Sequence, residues 1–526
     1  MSDGSDTPAP LFEGPGDPHP ALHRVTVQFA SNCGNEYLYD DVTGAILPWG
    51  ALEEATLRRE LRDSLSEAHR RALGTADSAE ATACAAQIQR WLVHLHAFAR
   101  PPHPALATPA ACEMRSLVWA NCSELVLIVT ENCNLSCRYC TYASGSYYYH
   151  RGPTGRSMRP SQAVSAVEWF LEGVGQHVAR NPRKRYGLSF YGGEPLLNIA
   201  VIKHVLEFAE AQVPGLFFPV LNTNGLLLTP ENVEVLREHR VHVAVSIDGP
   251  QPEHDRLRVD HGLTGSYGRI EANLIRIKRE HPNYWRECLV SLSVYDPLSD
   301  VAAISRFFDD GASAIPRSAF VNAVGSHNTN YYGRFQPKDY ELLSRRLHAL
   351  KAEYMRREIA GDRVGSYMRN LVAAPMMLLF LRSRIHDAKS PFLPYTGCCI
   401  PGLRMAVSPD GLVNMCERVN GTYPIGDLTN GGLNYEVIAR LIREYQREVL
   451  CNCSLCPITR LCGMCFSASE VCGGVKPPSG YCAGAVREAG KNLADYVSLM
   501  ESSPDAQERF RSQTANVATE RWLFQS

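Results

Sequence analysis

Three cysteines are spaced so closely that their sulfurs must share one loop. Cys133, Cys137 and Cys140 form a CxxxCxxC run inside TENCNLSCRYC. Given this composition, chance would place only about 0.02 such triplets in a chain of this length. Thiolates separated by three and two residues can wrap one loop around three corners of a cubane [4Fe–4S] cluster, leaving the fourth iron open to a substrate or cofactor. The alternative is a zinc loop, but structural zinc usually takes four ligands in CxxC pairs. A second concentration lies downstream: ten of the 18 cysteines fall between Cys398 and Cys482. Even scatter would put about three there, so metal ligation is the expected use. Cys33, Cys84, Cys112, Cys122 and Cys288 stand alone, where a cysteine usually serves as a small buried hydrophobe.

The elements that would hold these residues are legible. RVTVQFAS, NEYLYDD and AILPWG read as three short strands, followed by helices over Leu52 to Leu73 and Ala81 to Phe98. ARPPHPALATP then reads as a linker. From Glu124, apolar runs (ELVLIVT, GLSFY, FFPVLN, VAVSI, LVSLSVY, SAFVNAV) alternate with helices beginning near Ser161, Leu196, Pro230, Gly268 and Asp300. Six βα repeats predict an α/β fold, a partial (β/α)6 barrel with its chemistry at the C-terminal ends of the strands. The expected layout is a disordered tail at 1–22, an N-terminal module at 23–105, the barrel at 112–395, a cysteine-rich domain at 396–492 and a helical tail at 493–526.

On that frame, the CxxxCxxC, with Tyr139 before its last cysteine, resembles the radical S-adenosylmethionine (SAM) superfamily. Gly192-Gly193-Glu194-Pro195 resembles the family's GGEP, which holds the methionine amine of the cofactor. Asn222-Thr223-Asn224-Gly225 resembles its TNG, and Ser246-Ile247-Asp248-Gly249 its SxDG near the ribose. The resemblance implies S-adenosyl-L-methionine bound at Tyr139, Gly192, Gly193, Glu194, Pro195, Asn222, Asn224, Ser246 and Asp248. It also implies a 5′-deoxyadenosyl radical that removes hydrogen from an unactivated C–H bond, with the hard chemistry carried by the cofactor.

The later cysteines resemble the SPASM extension of peptide- and protein-modifying radical enzymes. That pattern implies two auxiliary [4Fe–4S] clusters, three in all: Cys399, Cys416 and Cys465 on the first, and Cys453, Cys456, Cys462 and Cys482 on the second. The two residues between Cys462 and Cys465 depart from the usual three, and Cys398, Cys451 and Cys472 are spare. A zinc ribbon is the alternative for CNCSLCPITRLCGMC. Glu417 after Cys416 resembles a general base of sulfatase-maturating relatives; otherwise it is a surface Glu paired with Arg418.

The N-terminal strands and helices resemble the winged-helix module called the RiPP recognition element, which captures the leader of a precursor peptide as an added strand. A DNA-binding winged helix is the competing reading, but the first helical run carries five arginines against five acidic residues, a solvated face. CTYASGSYYYHR, HPNYWREC and Cys416-Glu417-Arg418 look most like maturases that make thioether crosslinks. The expected activity is a macrocyclic crosslink, a thioether first, in a leader-bearing precursor peptide, with a flavodoxin or ferredoxin as reductant. Carbon–carbon or carbon–oxygen crosslinking, formylglycine formation, and a zinc-stabilised peptide- or DNA-binding protein are the alternatives.

Charge and hydropathy narrow the partners. Lys and Arg number 53 against 55 Asp and Glu, so no global charge advertises nucleic acid. The longest apolar stretch, Leu371 to Leu381, is too short for a bilayer and ends at Arg382. MSDGSDTPAP has no basic region followed by an apolar run, so a cytoplasmic address is expected, where 18 cysteines are not a disulfide framework.

Overall fold

Seven parallel strands line up because each offers an outward apolar face that buries against helices. The computed structural model describes residues 25–509 except 62–64, 96, 99–106, 108–109, 143–144, 148–153, 310–313, 383–401, 419–422, 452, 472–473, 504 and 506–507. Cys398, Cys399, Cys472, the tail at 1–22 and most of the linker therefore lie outside the described residues.

The first module is a three-stranded antiparallel meander, β1 (Thr26–Ala30), β2 (Glu36–Asp40) and β3 (Ala45–Pro48), with β2 central. Three helices follow: α1 (Ala51–Glu60), α2 (Glu67–Thr75) and α3 (Ser78–Val93). The single helix expected over Leu52 to Leu73 is thus two. The reason is local: Ser66 accepts from the His69 amide and donates its own amide to His69 Nδ1, both at 3.2 Å, a capping box that starts a new helix. One face of the sheet packs Leu38, Leu47 and Trp49 on Leu57, Ile88 and Trp91.

After α4 (Ala111–Asn121) come β4 (Glu124–Thr130), α5 (Pro160–Arg180), β5 (Tyr186–Gly192), α6 (Ile199–Gln212), β6 (Phe217–Thr223) and α7 (Pro230–Glu238). Next are β7 (His242–Ser246), α8 (Gln251–Leu257), α9 (Tyr267–Glu280), α10 (Pro282–Cys288), β8 (Leu289–Tyr295), α11 (Val301–Asp309) and β9 (Ser318–Ala323). All six expected strands are present and pair in parallel in chain order. Alternation along the strands sorts their side chains. Leu125, Leu127, Val129, Leu188 and Phe190 face outward onto buried helix residues such as Ala163, Val167, Phe170 and Val174 of α5. Each large aliphatic side chain buried this way contributes about 1.5–3 kcal/mol. Val126 and Ile128 pack with Ala406, and Val220, Ala244, Val290 and Phe320 pack together inside the curved sheet.

Then come α12 (Pro337–Ala360), α13 (Ser366–Met368), α14 (Ala374–Leu381) and four strands the sequence reading did not anticipate: β10 (Arg404–Val407), β11 (Leu412–Asn414), β12 (Gly426–Asp427) and β13 (Gly432–Leu433). β10 joins β4 in parallel on the side away from β5, and β11 to β13 continue as an antiparallel ribbon. They are too short to show a periodic pattern. α15 (Tyr435–Glu448), α16 (Phe466–Ser469), the hairpin β14 (Glu470–Val471) and β15 (Gly474–Val475), and α17 (Tyr481–Ser502) complete the chain. α17 starts before the boundary expected at 492 and carries Cys482 in its first turn. Among the described residues no helix is long and apolar enough to cross a membrane.

Candidate active site

Cys133, Cys137 and Cys140 sit on the loop leaving β4, half-buried and within range of one another's charge. The loop is held by its neighbours. The Ser136 and Arg138 amides donate to the carbonyls of Val259 and Leu257 at 2.8 and 2.9 Å, and His261 Nε2 meets the Cys133 carbonyl at 2.9 Å. The Leu135 and Tyr142 amides point at the sulfurs of Cys133 and Cys140 at 3.4 and 3.3 Å. Burial pushes the Cys133 and Cys137 thiols up to about 11 and about 12, so ligation would have to displace their protons.

The two glycines where β5 ends allow this loop to lie where it does. Gly192 has φ +143°, and a Cβ there would sit 2.0 Å from the Thr130 carbonyl oxygen. A Cβ on Gly193 would lie 2.2 Å from the Asn132 oxygen. The Gly193 and Glu194 amides instead donate to the Thr130 and Asn132 carbonyls at 2.9 and 2.8 Å. Glu194 is fully buried, accepting from the Leu196 amide (3.1 Å), Thr223 Oγ1 (2.7 Å) and the Asn224 amide (2.8 Å). It therefore pins the end of β5 to the end of β6. Burial pushes its carboxyl up to about 7 against the pull of those bonds.

That value carries a pH prediction. A carboxyl raised in the folded state contributes stability below its unfolded value, and this is lost as pH rises toward 7. The shift from 4.5 to about 7 corresponds to about 3 kcal/mol. Chemical denaturation of the apoprotein at pH 5 and pH 7 is expected to show about 2 kcal/mol of that fall, and Glu194→Gln to remove its share. An unchanged slope in the variant refutes the assignment.

Asp248, also buried, accepts from Arg258 Nε (2.7 Å) and Nη2 (3.1 Å), the Val294 amide (3.0 Å) and Tyr139 OH (3.4 Å). The Arg258 guanidinium lies over the Tyr139 ring, 5.2 Å from its centre. Asn224 Nδ2 donates to Asn134 Oδ1 at 2.7 Å and approaches the Cys133 sulfur at 3.9 Å.

These groups surround a cavity of about 810 Å³ that runs from the cysteine loop through the sheet's interior to Glu124, Arg404 and Glu417. Tyr139, Gly192, Gly193, Asn222, Asn224 and Ser246 line it; Glu194, Pro195 and Asp248 stand behind its wall. Asn222 Oδ1 and Ser293 Oγ, both on lining residues, are buried without a hydrogen-bond partner. Three thiols beside such unpaired groups fit an iron–sulfur cluster and a polar cofactor. Among the described residues no three His, Cys, Asp or Glu side chains converge on one metal ion. A cubane does not ask for that, because each thiolate takes its own corner iron.

At the cavity's far end, Arg404 donates to both Glu417 oxygens at 3.2 and 3.3 Å and to Glu124 at 2.7 Å. Glu417 is therefore a buried ion-pair partner. Burial alone would raise its carboxyl, yet Arg404 and Arg418 hold it below the usual value. Tyr142 OH donates to its carbonyl at 3.3 Å. Glu124, pushed up to about 7 by burial, accepts from Ser189 as well. Cys416 lies within range of the charge of Cys465, and Cys453 within range of Cys456, Cys462, Cys482 and Cys451. Arg258, Arg404, Glu124 and Tyr142 were not singled out from the sequence. Only Tyr142, two residues past Cys140, had a local signal.

Residues 127–290 match the family model of the radical SAM superfamily. The chain is 30% identical over 359 residues to the radical SAM cyclopropyl synthase TigE of Paramaledivibacter caminithermalis, covering 65% of this chain and 68% of that protein. The chain belongs to the radical SAM superfamily. It is also 28% identical over 160 residues to a serine-type anaerobic sulfatase-maturating enzyme of Bacteroides thetaiotaomicron, which covers 30% of this chain and 36% of the enzyme. The solved structure of native anSMEcpe with bound AdoMet superposes with a TM-score of 0.52 at 19% identity, covering 75% of this chain and 99% of that one, a likeness of fold. In this radical SAM chain, the cysteine loop, the paired glycines and the polar ends of β6 and β7 thus lie around one cavity.

Proposed function

We propose that this radical SAM enzyme is a maturase that closes a bond between two residues of a ribosomally made precursor peptide. The observation that carries the reading is the continuous cavity joining the Cys133–Cys140 loop to Glu417 and Arg418. In this reading Cys133, Cys137 and Cys140 hold one [4Fe–4S] cluster. Tyr139, Asn222, Asn224, Ser246 and the backbone of Gly192 and Gly193 face S-adenosyl-L-methionine. When bound, these groups supply a radical that removes a hydrogen atom from an unactivated C–H bond. Glu194 and Asp248 position the walls, the first through β6 and the second through Arg258 and Tyr139.

Closing a bond between carbon and a cysteine sulfur removes one further proton and one electron. Glu417, ionised and fixed by Arg404, is a cavity carboxylate that could take the proton. Cys416 and Cys465, with Cys399, would hold an auxiliary cluster to take the electron, and the Cys453, Cys456, Cys462 and Cys482 quartet a second. A small electron donor, a flavodoxin or ferredoxin, supplies the reducing equivalent for the cofactor. The meander of β1 to β3 ends on two edge strands, the kind of edge to which an extended leader adds.

A carbon–carbon closure is the second reading, favoured by the relative named a cyclopropyl synthase. Formylglycine formation is the third, in line with the sulfatase-maturating relative. Coexpression with the precursor encoded nearby, followed by tandem mass spectrometry and thiol alkylation, tests them. The thioether reading expects a loss of about two hydrogens per link with the thiol masked. The same loss with every thiol free supports carbon–carbon or carbon–oxygen closure, and a carbonyl-reactive product supports formylglycine. An unmodified peptide under reducing, SAM-replete conditions overturns the maturase reading.

A further inference from the structure

Two adjacent carboxylates, Asp40 at the end of β2 and Asp41 just past it, face different parts of the molecule. Asp40 closes its own turn, accepting from the Thr43 amide at 3.1 Å and Thr43 Oγ1 at 2.6 Å. Asp41, 2% exposed, reaches into the cysteine-rich region instead. It accepts from Thr459 Oγ1 and, at 2.8 Å, from the Arg460 amide. Arg460 returns two bonds to the main chain of the same turn, Nε to the Asp41 carbonyl and Nη2 to the Val42 carbonyl, each at 2.8 Å. Tyr39 OH supports the carboxylate at 3.2 Å. Thr459 and Arg460 are themselves buried, and both belong to the five-residue loop between Cys456 and Cys462. Leu461, the last residue of that loop, packs on a core that includes Tyr39 and Leu493, Tyr496 and Val497 of α17.

A buried carboxylate is costly unless its oxygens are satisfied, so an acid placed here holds its partners firmly. We propose that Asp41 is a positioning residue for the second auxiliary cluster, its carboxylate holding the loop that sets Cys456 and Cys462. The N-terminal module is then part of the seat of that cluster as well as a peptide-capturing appendage. The inference rests on the reading that Cys453, Cys456, Cys462 and Cys482 ligate a cluster, and it adds a residue more than 400 positions away in sequence. Asp41 also brings a carboxylate charge to the loop that carries Cys456 and Cys462, which opposes addition of an electron there.

The test uses the full chain, reconstituted anaerobically with iron and sulfide, as Asp41→Ala, Asp41→Asn and a Cys456→Ala/Cys462→Ala pair. Asp41→Ala is expected to lose about four irons per chain, one cubane. In the apoprotein its Arg460 amide should exchange hydrogen roughly tenfold faster, the loss of one charge-assisted bond. Asp41→Asn keeps an acceptor and is expected to retain iron. In a Cys133→Ala/Cys137→Ala/Cys140→Ala background, its midpoint potential, followed by electron paramagnetic resonance, should move positive. If the cysteine pair keeps all its iron, the quartet reading falls and the proposal with it. If the pair loses iron while Asp41→Ala keeps both its iron and its Arg460 protection, the proposal alone falls.

Discussion

Replacing Cys133, Cys137 and Cys140 together with alanine is expected to abolish reductive cleavage of SAM while leaving most of the protein's iron in place. The loop they occupy is fixed by main-chain bonds to residues 257 and 259 and by the Gly193 and Glu194 amides, none of which uses a cysteine sulfur. Alanine in three half-buried loop positions therefore leaves the barrel folded and removes only the thiols. Formation of 5′-deoxyadenosine under dithionite should drop to the uncatalysed background, a fall of at least about 10⁶-fold. Iron should fall by about four atoms per chain, from about twelve to about eight if three cubanes are held. Cleavage that survives the triple replacement would mean that the open iron lies elsewhere, and zinc in place of iron in the unaltered chain would favour a structural role for all the cysteines. The two measurements separate the radical site from the downstream cysteines, which cleavage alone does not.

What was legible from sequence, and what was not, follows the range of each interaction. β4 reads directly from ELVLIVT because all seven residues are buried, and parallel strands covered on both faces leave no polar alternation to decode. The role of Gly192 and Gly193 is equally local: a turn that must pass within bonding distance of Thr130 and Asn132 admits no side chain. Glu194 and Asp248 were found by motif, but their surroundings place them in the wall, where each fixes neighbours that line the cavity. The expected helix over Leu52 to Leu73 was misjudged because amphipathic periodicity continues through Ser66, whose cap only geometry reveals. Arg404 and Arg258 escaped notice for a different reason. A charged residue gains meaning from its partner, and Arg404 lies 280 positions from Glu124 while β10, the strand that carries it, is four residues long. Asp41 is the extreme case, an acid in an ordinary turn whose partners are in another module.

Arg404→Met is expected to produce the largest loss of stability of any single substitution in the cavity. The side chain is similar in length and apolar, so packing along β10 is largely kept and the charge is the main thing removed. Its guanidinium is shared by two buried carboxylates, Glu124 at 2.7 Å and Glu417 at 3.2 Å. Removing one partner from a buried ion pair typically costs about 3–5 kcal/mol, because the remaining charge is left in a poorly solvating interior. Here Ser189 and the half-exposed Arg418 offset part of it. The sign of the pH response is fixed by the same argument. Without Arg404 the Glu124 carboxyl rises further above its unfolded value and Glu417 loses the main pull that holds it low, so the variant's deficit should be smallest at the acid end and grow as pH rises through 7. Denaturation midpoints across that range measure this directly. The double variant Glu124→Gln/Arg404→Met removes one orphaned charge and is expected to recover part of the loss. No recovery would show that Arg404 acts through packing. Since Glu417 lies one residue from Cys416, the variant also reports on the seat proposed for the first auxiliary cluster. A fall in iron that Glu124→Gln does not repair would locate that effect at Glu417, the carboxylate next to Cys416.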